Sequence, residues 1–233
     1  MLKYDLHIHS EYSRDSRAPI EEILKQAVRC GLDGIAICDH DNPEGGFAAE
    51  KAVLERPEFK DLVVIPGFEV STADGHILIL NYPEDAEKIP PGLSPEETVR
   101  RAKAAGAFVI IPHPFRKSAH GIGRIQGVGA DAVETFNAKS LTNSGNKKAK
   151  REAHRLNLPQ TGGSDAHTPD MVGRAVTLID APENTPEAVL KAIAEGRSSS
   201  SGKTTPPVTV LKQMIQNAAR RVRKAAKGDY KEW

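Results

Sequence analysis

The chain has 233 residues, 39% hydrophobic and 27% charged, with a formal net charge of +1. That balance excludes a disordered chain, and no apolar run approaches the length of a membrane-spanning helix. The length suits a single α/β domain with a sizeable core, and Cys30 and Cys38 are too few for a disulfide scaffold. The N-terminal "MLKYDLHIHS" lacks the apolar core and cleavage site of a signal peptide, so the cytoplasm is the expected location.

Strand and helix signals alternate along most of the chain. Leu2–Ile8 reads as a buried strand whose alternation sets Asp5, His7 and His9 on one side. Pro19–Cys30 reads as a helix, with proline in its first turn and Gly31 just past its end. "GIAICDH" and "DLVVIPGFEV" are apolar runs that turn polar at their ends, and "ADGHILIL" follows as a further strand. A two-residue turn at Asp74-Gly75 would pair His76 with Ala73 and place it on the sheet face of Glu69. Ser94 to Glu97 forms a capping box for a helix ending near Gly106. "AFVIIPHP", "DAVETFN", "PQTGGSDAH" and "GRAVTLID" are strand candidates, with helices at "KKAKREAHRLN" and Thr185–Glu195. Such alternation predicts a mostly parallel sheet covered by helices.

The stretch 198–207, "SSSSGKTTPP", reads as a linker that separates a body, 1–197, from a basic amphipathic helix, 208–233. Val208, Leu211, Ile215, Ala218 and Val222 keep helical spacing, so this helix is expected to dock by that stripe. From Lys203 onward eight Lys or Arg stand against two acidic residues. Such a face can meet nucleic acid, but a solvated helix face is the simpler reading.

Five of the eight histidines, His7, His9, His40, His113 and His167, stand where an apolar run becomes polar, as do Glu69 and Asp165. In an α/β barrel those strand ends form the catalytic rim. His76 joins them through its hairpin. Histidine with carboxylate suits Zn, Mn or Fe, and the absence of ligand-spaced cysteines argues against a structural zinc finger. No nucleophile elbow or Ser-His-Asp pattern appears, so water activated by metal is the expected nucleophile.

The stretches "DLHIHSEYSRDS", "ICDHDN", "GFEVSTADGHILIL", "IPHPFR" and "GGSDAH" resemble, in order, the motifs of the PHP (polymerase and histidinol phosphatase) family of metal-dependent phosphoesterases. The resemblance covers about the first 180 residues. It implies a distorted (β/α)7 barrel with two or three divalent ions (Zn, Mn, Fe or Mg) at the strand C-terminal ends. By motif, His7, His9, Glu69 and Asp165 would hold the first ion. Glu69 would bridge to a second, completed by His76 and His113, and Asp15, His40 and His167 would hold a third. Asp15 fills a slot that some members give to histidine. The resemblance further implies phosphate-ester hydrolysis by a hydroxide bridging two ions, with Glu69, Asp165 and His167 at the reacting centre.

Around this set, Arg116 is a candidate phosphate clamp, and Arg174 and His120 are candidate substrate contacts. Asp39, Glu134 and Asn137 are candidates for orienting the ligands, whereas Cys38 reads as core and His154 as exposed. The expected substrate is a small phosphomonoester such as a nucleotide, or an oligonucleotide end, with no membrane partner. Histidinol phosphatase is the alternative enzyme, and an RNA-binding PHP-like scaffold subunit the alternative of another class. Neither the substrate nor the oligomeric state is fixed by the motifs.

Overall fold

The computed structural model describes residues 1–117, 120–140, 142–210, 213 and 215. Nine strands and five helices follow one another in it: β1 (Leu2–Ile8), α1 (Ile20–Arg29), β2 (Gly34–His40), α2 (Glu44–Glu55), β3 (Val63–Thr72), β4 (Gly75–Leu80), α3 (Pro95–Ala104), β5 (Phe108–Ile111), β6 (Ala132–Asn137), α4 (Ser144–Arg155), β7 (Gln160–Gly163), β8 (Ala175–Ile179), α5 (Pro186–Ala194) and β9 (Ser198–Gly202). The apolar runs become strands because both of their faces are covered. In β2, Ile35 and Ile37 pack beneath α1 and α2, while Ala36 and Cys38 join Tyr4, Leu6 and Ile65 on the opposite face. The helices start where the caps were read: the Ser94 and Thr185 side chains accept from the Glu97 and Ala188 N–H groups.

The strands form one sheet in the order β7-β6-β5-β4-β3-β2-β1-β8-β9, curled into a nearly closed barrel. The α/β barrel expected from the sequence is what the chain forms, while two details differ from a mostly parallel sheet followed by a linker. The β3–β4–β5 and β1–β8–β9 pairings are antiparallel, so only β1–β2–β3 and β5–β6–β7 run parallel. The serine-rich stretch, moreover, is not a linker through its first half: Ser198–Gly202 is strand β9, paired in full with β8. Its small side chains suit the seam where the sheet ends meet. Ser200 Oγ lies 2.8 Å from Thr135 Oγ1, and Ser198 Oγ donates to Gln160 O at 2.9 Å.

Helix α2 was not anticipated, because Gly45 and Gly46 in its first turn are poor helix formers. Tertiary contact explains Gly45: an added Cβ would lie 1.9 Å from Asp39 Oδ2, so only glycine lets α2 seat against β2. The hairpin register also differs. Thr72 pairs with Gly75 and Ser71 with His76, so the turn is Ala73-Asp74. A slip of two residues preserves the sheet face, and His76 still meets Glu69.

After β9 the chain returns to the body, with Thr205 N–H bonded to Ala138 O at 2.6 Å. Residues 207–210 are helical, but the buried side chains are Val210 and Gln213, while Val208 and Ile215 are 72% and 61% exposed. The described part of this helix therefore docks by a different face from the apolar stripe read in the sequence. The rest of 208–233 lies outside the described residues, as do its basic side chains. Among the described residues no helix is long and apolar enough to cross a membrane.

Asp5 closes the barrel where β1 meets β7 and β8. Fully buried, it accepts from Ser164 N–H at 2.9 Å, Gly173 N–H at 2.8 Å and His7 N–H at 3.4 Å. Burial raises its carboxyl from 3.8 to about 6, against the pull of those bonds. Asp5→Ala strands these N–H groups and should lose about 3 kcal/mol in urea unfolding. A folded-state pKa above the unfolded one stabilises fully below the unfolded value, and that contribution is lost as pH rises through about 6. The deficit of the variant should therefore be larger at about pH 4 than at about pH 8.

Candidate metal centre

The strand ends that turn polar in the sequence meet at one rim. His7 and His9 leave β1 beside the turn after β7, where Asp165 N–H bonds to His7 O and His9 N–H to Ala166 O, both at 2.8 Å. The following loop is folded back by Asp39, whose carboxylate accepts from Ser10 N–H at 2.5 Å and Ser10 Oγ at 2.6 Å. That turn brings Ser13 Oγ within 2.9 Å of Asp15 Oδ1, and Asp15 Oδ2 to 2.9 Å from His167 Nε2. His40 ends β2, Glu69 sits in β3, and His76 and His113 enter from β4 and the turn after β5. His113 and Asp165 hold left-handed backbones, φ 29° and 52°, a conformation that non-glycine residues keep only where their surroundings impose it.

Glu69, 1% exposed, is the common neighbour. Its Oε1 lies 2.9 Å from His76 Nδ1 and 3.2 Å from His113 Nε2. Its Oε2 lies 3.5 Å from His7 Nε2, 3.3 Å from His9 Nε2 and 3.3 Å from His40 Nδ1. Burial opposes ionisation of Glu69, but His76, His40 and His7 outweigh it and hold the carboxyl well below the usual range. Burial likewise depresses His9 and His113. His7 is driven the other way: burial lowers it, and Glu134, Glu69 and Asp165 together raise it well above its ordinary value. Asp165 is held low against burial by Lys139, His7 and Arg116.

The residues expected to orient ligands do so in two cases. Glu134 Oε1 accepts from His7 Nδ1 at 3.0 Å, leaving Nε2 to face His9 and Glu69. Its Oε2 takes the His113 N–H at 2.8 Å and the Asn137 amide at 2.9 Å. Asp39 instead holds the Ser10 turn. His167 Nδ1 donates to the Asp165 carbonyl at 2.9 Å, so its Nε2 lone pair is directed at the Asp15 carboxylate. A lone pair facing a carboxylate is repulsive unless a cation screens it, and the Lys139 ammonium, 3.0 Å from this nitrogen, is one such cation.

At the centre, His7 Nε2 and His9 Nε2 lie 3.2 Å apart, and among the described residues the buried Nδ1 atoms of His9, His40 and His113 have no hydrogen-bond partner. Two donors about 2.1 Å from one ion lie about 3.0–3.4 Å apart, which is the spacing seen here. Four overlapping groups bring their ligand atoms within 4.8 Å of one another: His9, Asp15, His40 and His167; His7, His9 and Glu69; His7, His113 and Asp165; and His40, Glu69 and His76. Together they contain all nine residues expected as ligands, so the donor set fits divalent ions.

Of the other candidates, Arg116 Nη1 bonds to Asp165 Oδ2 at 2.8 Å, on the rim. His120 is exposed, with its Nδ1 3.2 Å from His76 Nε2. Burial and the nearby His76 and Arg116 lower it to about 4. Arg174 has no bond to the cluster among the described residues, and its Nε is buried without a partner. Cys38 is core and His154 exposed, as read. Sequence reading missed Lys139, whose Nζ lies 3.2 Å from Asp165 Oδ1 and 3.0 Å from His167 Nε2. Its signal was its position two residues past Asn137, itself at a strand end.

Residues 5–105 match the PHP domain family and residues 143–198 a PHP-associated family. An uncharacterized protein of Methanocaldococcus jannaschii, MJ1587, is 41% identical over 148 residues, 59% of this chain and 82% of that protein. A Haemophilus influenzae 5'-3' exoribonuclease is 34% identical over 106 residues, 44% of this chain but only 37% of the enzyme. A Bacteroides vulgatus two-domain protein, described as containing a predicted PHP-like metal-dependent phosphoesterase, superposes with a TM-score of 0.70 at 19% identity, covering 93% of this chain and 69% of that one. The chain belongs to the PHP family.

Gly163 shows how tightly the site is built, since an added Cβ would lie 2.4 Å from His7 Cβ and 2.7 Å from Glu134 Oε1. Gly163→Ala should displace this pair and weaken metal retention by about tenfold or more, read as metal content after dialysis against graded chelator.

Proposed function

We propose that this chain is a metal-dependent phosphoric ester hydrolase. The observation that carries the reading is Glu69, one buried carboxylate with an imidazole pair at Oε1 and three more imidazoles at Oε2. In this reading His7, His9, Glu69 and Asp165 would hold one ion, Glu69 with His76 and His113 a second, and Asp15, His40 and His167 a third. When bound, such ions activate water and neutralise phosphate charge. Glu134 and the Asp165 carbonyl keep His7 and His167 in the tautomers that present a lone pair inward. Arg116, at 21% side-chain exposure, stands at the mouth and grips a phosphate oxygen. His120 stays neutral at pH 7 and offers the substrate a hydrogen bond without charge.

The substrate class is a small phosphomonoester such as a nucleotide, or an oligonucleotide end. The likeness to an exoribonuclease supports keeping the second form. A binding scaffold has no need of nine converging ligands, which favours catalysis over the scaffold reading. Protein reconstituted with Zn, Mn, Fe or Mg should hydrolyse at least one member of a panel of phosphomonoesters and short oligonucleotides. Metal-loaded protein inert on the whole panel would overturn the reading.

Within an active preparation, Glu69→Gln should lower kcat by more than about a hundredfold, because an amide cannot bridge two cations. Arg116→Ala should leave metal content unchanged and lower kcat/KM by about tenfold.

A further inference from the structure

Lys139 poses a problem of charge. Its side chain is 13% exposed, and its Nζ lies 3.2 Å from Asp165 Oδ1 and 3.1 Å and 3.0 Å from the two ring nitrogens of His167. Lysine is rarely so enclosed, and a fixed cation beside metal ligands repels the ions those ligands would hold. As a mere partner for Asp165 it is redundant: Asp165 Oδ2 already takes Arg116 Nη1 at 2.8 Å and the Asn137 amide at 3.3 Å. With ions bound to the ligands, a second cation here is favourable only when an anion joins the site.

The backbone holding Lys139 is fixed on three sides. Lys139 N–H donates to Asn137 Oδ1 at 3.0 Å. Ala138 N–H donates to Gly163 O at 3.1 Å, and Ala138 O accepts from Thr205 N–H at 2.6 Å. The Asn137 side chain that anchors Lys139 also bonds to Glu134 and Asp165. The lysine is thus preorganised by the same residues that set the ligands.

We propose that Lys139 is a substrate-binding residue that, with Arg116 across Asp165, forms a two-cation clamp for the dianionic phosphate of a monoester. This inference rests on the hydrolase reading and narrows its substrate class. Arg116 holds one oxygen of Asp165 and Lys139 the other. Once an ion takes up the Asp165 charge, both arms are left in excess by one unit each. A phosphomonoester dianion presents three charge-bearing oxygens, enough to meet the ions and both arms together, whereas a diester presents two and carries one charge less.

The test compares metal-loaded wild type, Lys139→Met and Lys139→Arg. Metal content is measured first, then inorganic phosphate affinity by calorimetry, then kcat/KM on p-nitrophenyl phosphate and bis(p-nitrophenyl) phosphate. Lys139→Met should keep its metal and bind phosphate about tenfold or more weakly. It should lose about tenfold or more in kcat/KM on the monoester and less than about threefold on the diester, and Lys139→Arg should recover most of the monoester loss. Loss of metal from Lys139→Met would make the lysine a prop for Asp165 and overturn the proposal, as would unchanged phosphate affinity or equal losses on the two esters. Wild type that binds phosphate through Lys139 yet cleaves no ester would sink the hydrolase reading and leave the clamp standing. Wild type that neither binds phosphate nor cleaves an ester would sink both.

Discussion

Everything at the rim depends on keeping one carboxylate charged where water cannot reach it. A buried, isolated Glu69 would take up a proton, because an ionised carboxyl loses several kcal/mol of hydration on burial. Here imidazoles surround it: His76 and His113 at one oxygen, His7, His9 and His40 at the other. So many imidazoles around one carboxylate offer more ring nitrogens than its two oxygens can pair with. Divalent cations resolve the conflict that the packing creates. The centre therefore gathers nine potential ligands whose donor atoms lie within 4.8 Å of one another in overlapping groups.

Bringing those donors together requires a sheet that curls back on itself. A run of parallel strands would carry His7, His40 and Glu69 to one rim, since β1, β2 and β3 are neighbours. His76 arrives differently, on an antiparallel strand whose hairpin folds it over Glu69. Asp165 and His167 come from the far end of the sheet order, and their approach to His7 rests on barrel closure through Asp5 and the β8–β9 ribbon. The left-handed backbones of His113 and Asp165 fit this picture, for closure imposes a conformation that the local chain would not choose.

Charge is layered outward from Glu69. Carboxylates and imidazoles occupy the buried floor, and Arg116 and Lys139 stand at the mouth against the two oxygens of Asp165. Cations so close to metal ligands weaken the hold on metal and strengthen the hold on anions. A site that only stored metal would gain nothing from them. The proposed hydrolysis would use this layering, since a substrate entering it would meet positive charge from both sides.

Much of this was legible in the sequence because metal chemistry restricts residue type and strand ends restrict position. His7, His9, His40, Glu69, His113, Asp165 and His167 each close an apolar run, a local signal that needs no knowledge of the fold. His76 kept its face through a misread turn, since a register slip of two residues leaves a strand's faces unchanged. What only the tertiary structure decided were matters of distant partners. Ser198–Gly202 has a linker's composition, yet β8 offers it a complete ladder, and backbone hydrogen bonding does not depend on side-chain type. Val208 and Ile215 share a helical face that the sequence marks as buried, but the body covers Val210 and Gln213 instead. Lys139 carries no motif, only a place two residues past a strand end. Its meaning comes from Asp165 and His167, which lie 26 and 28 residues away and meet it only when the sheet closes.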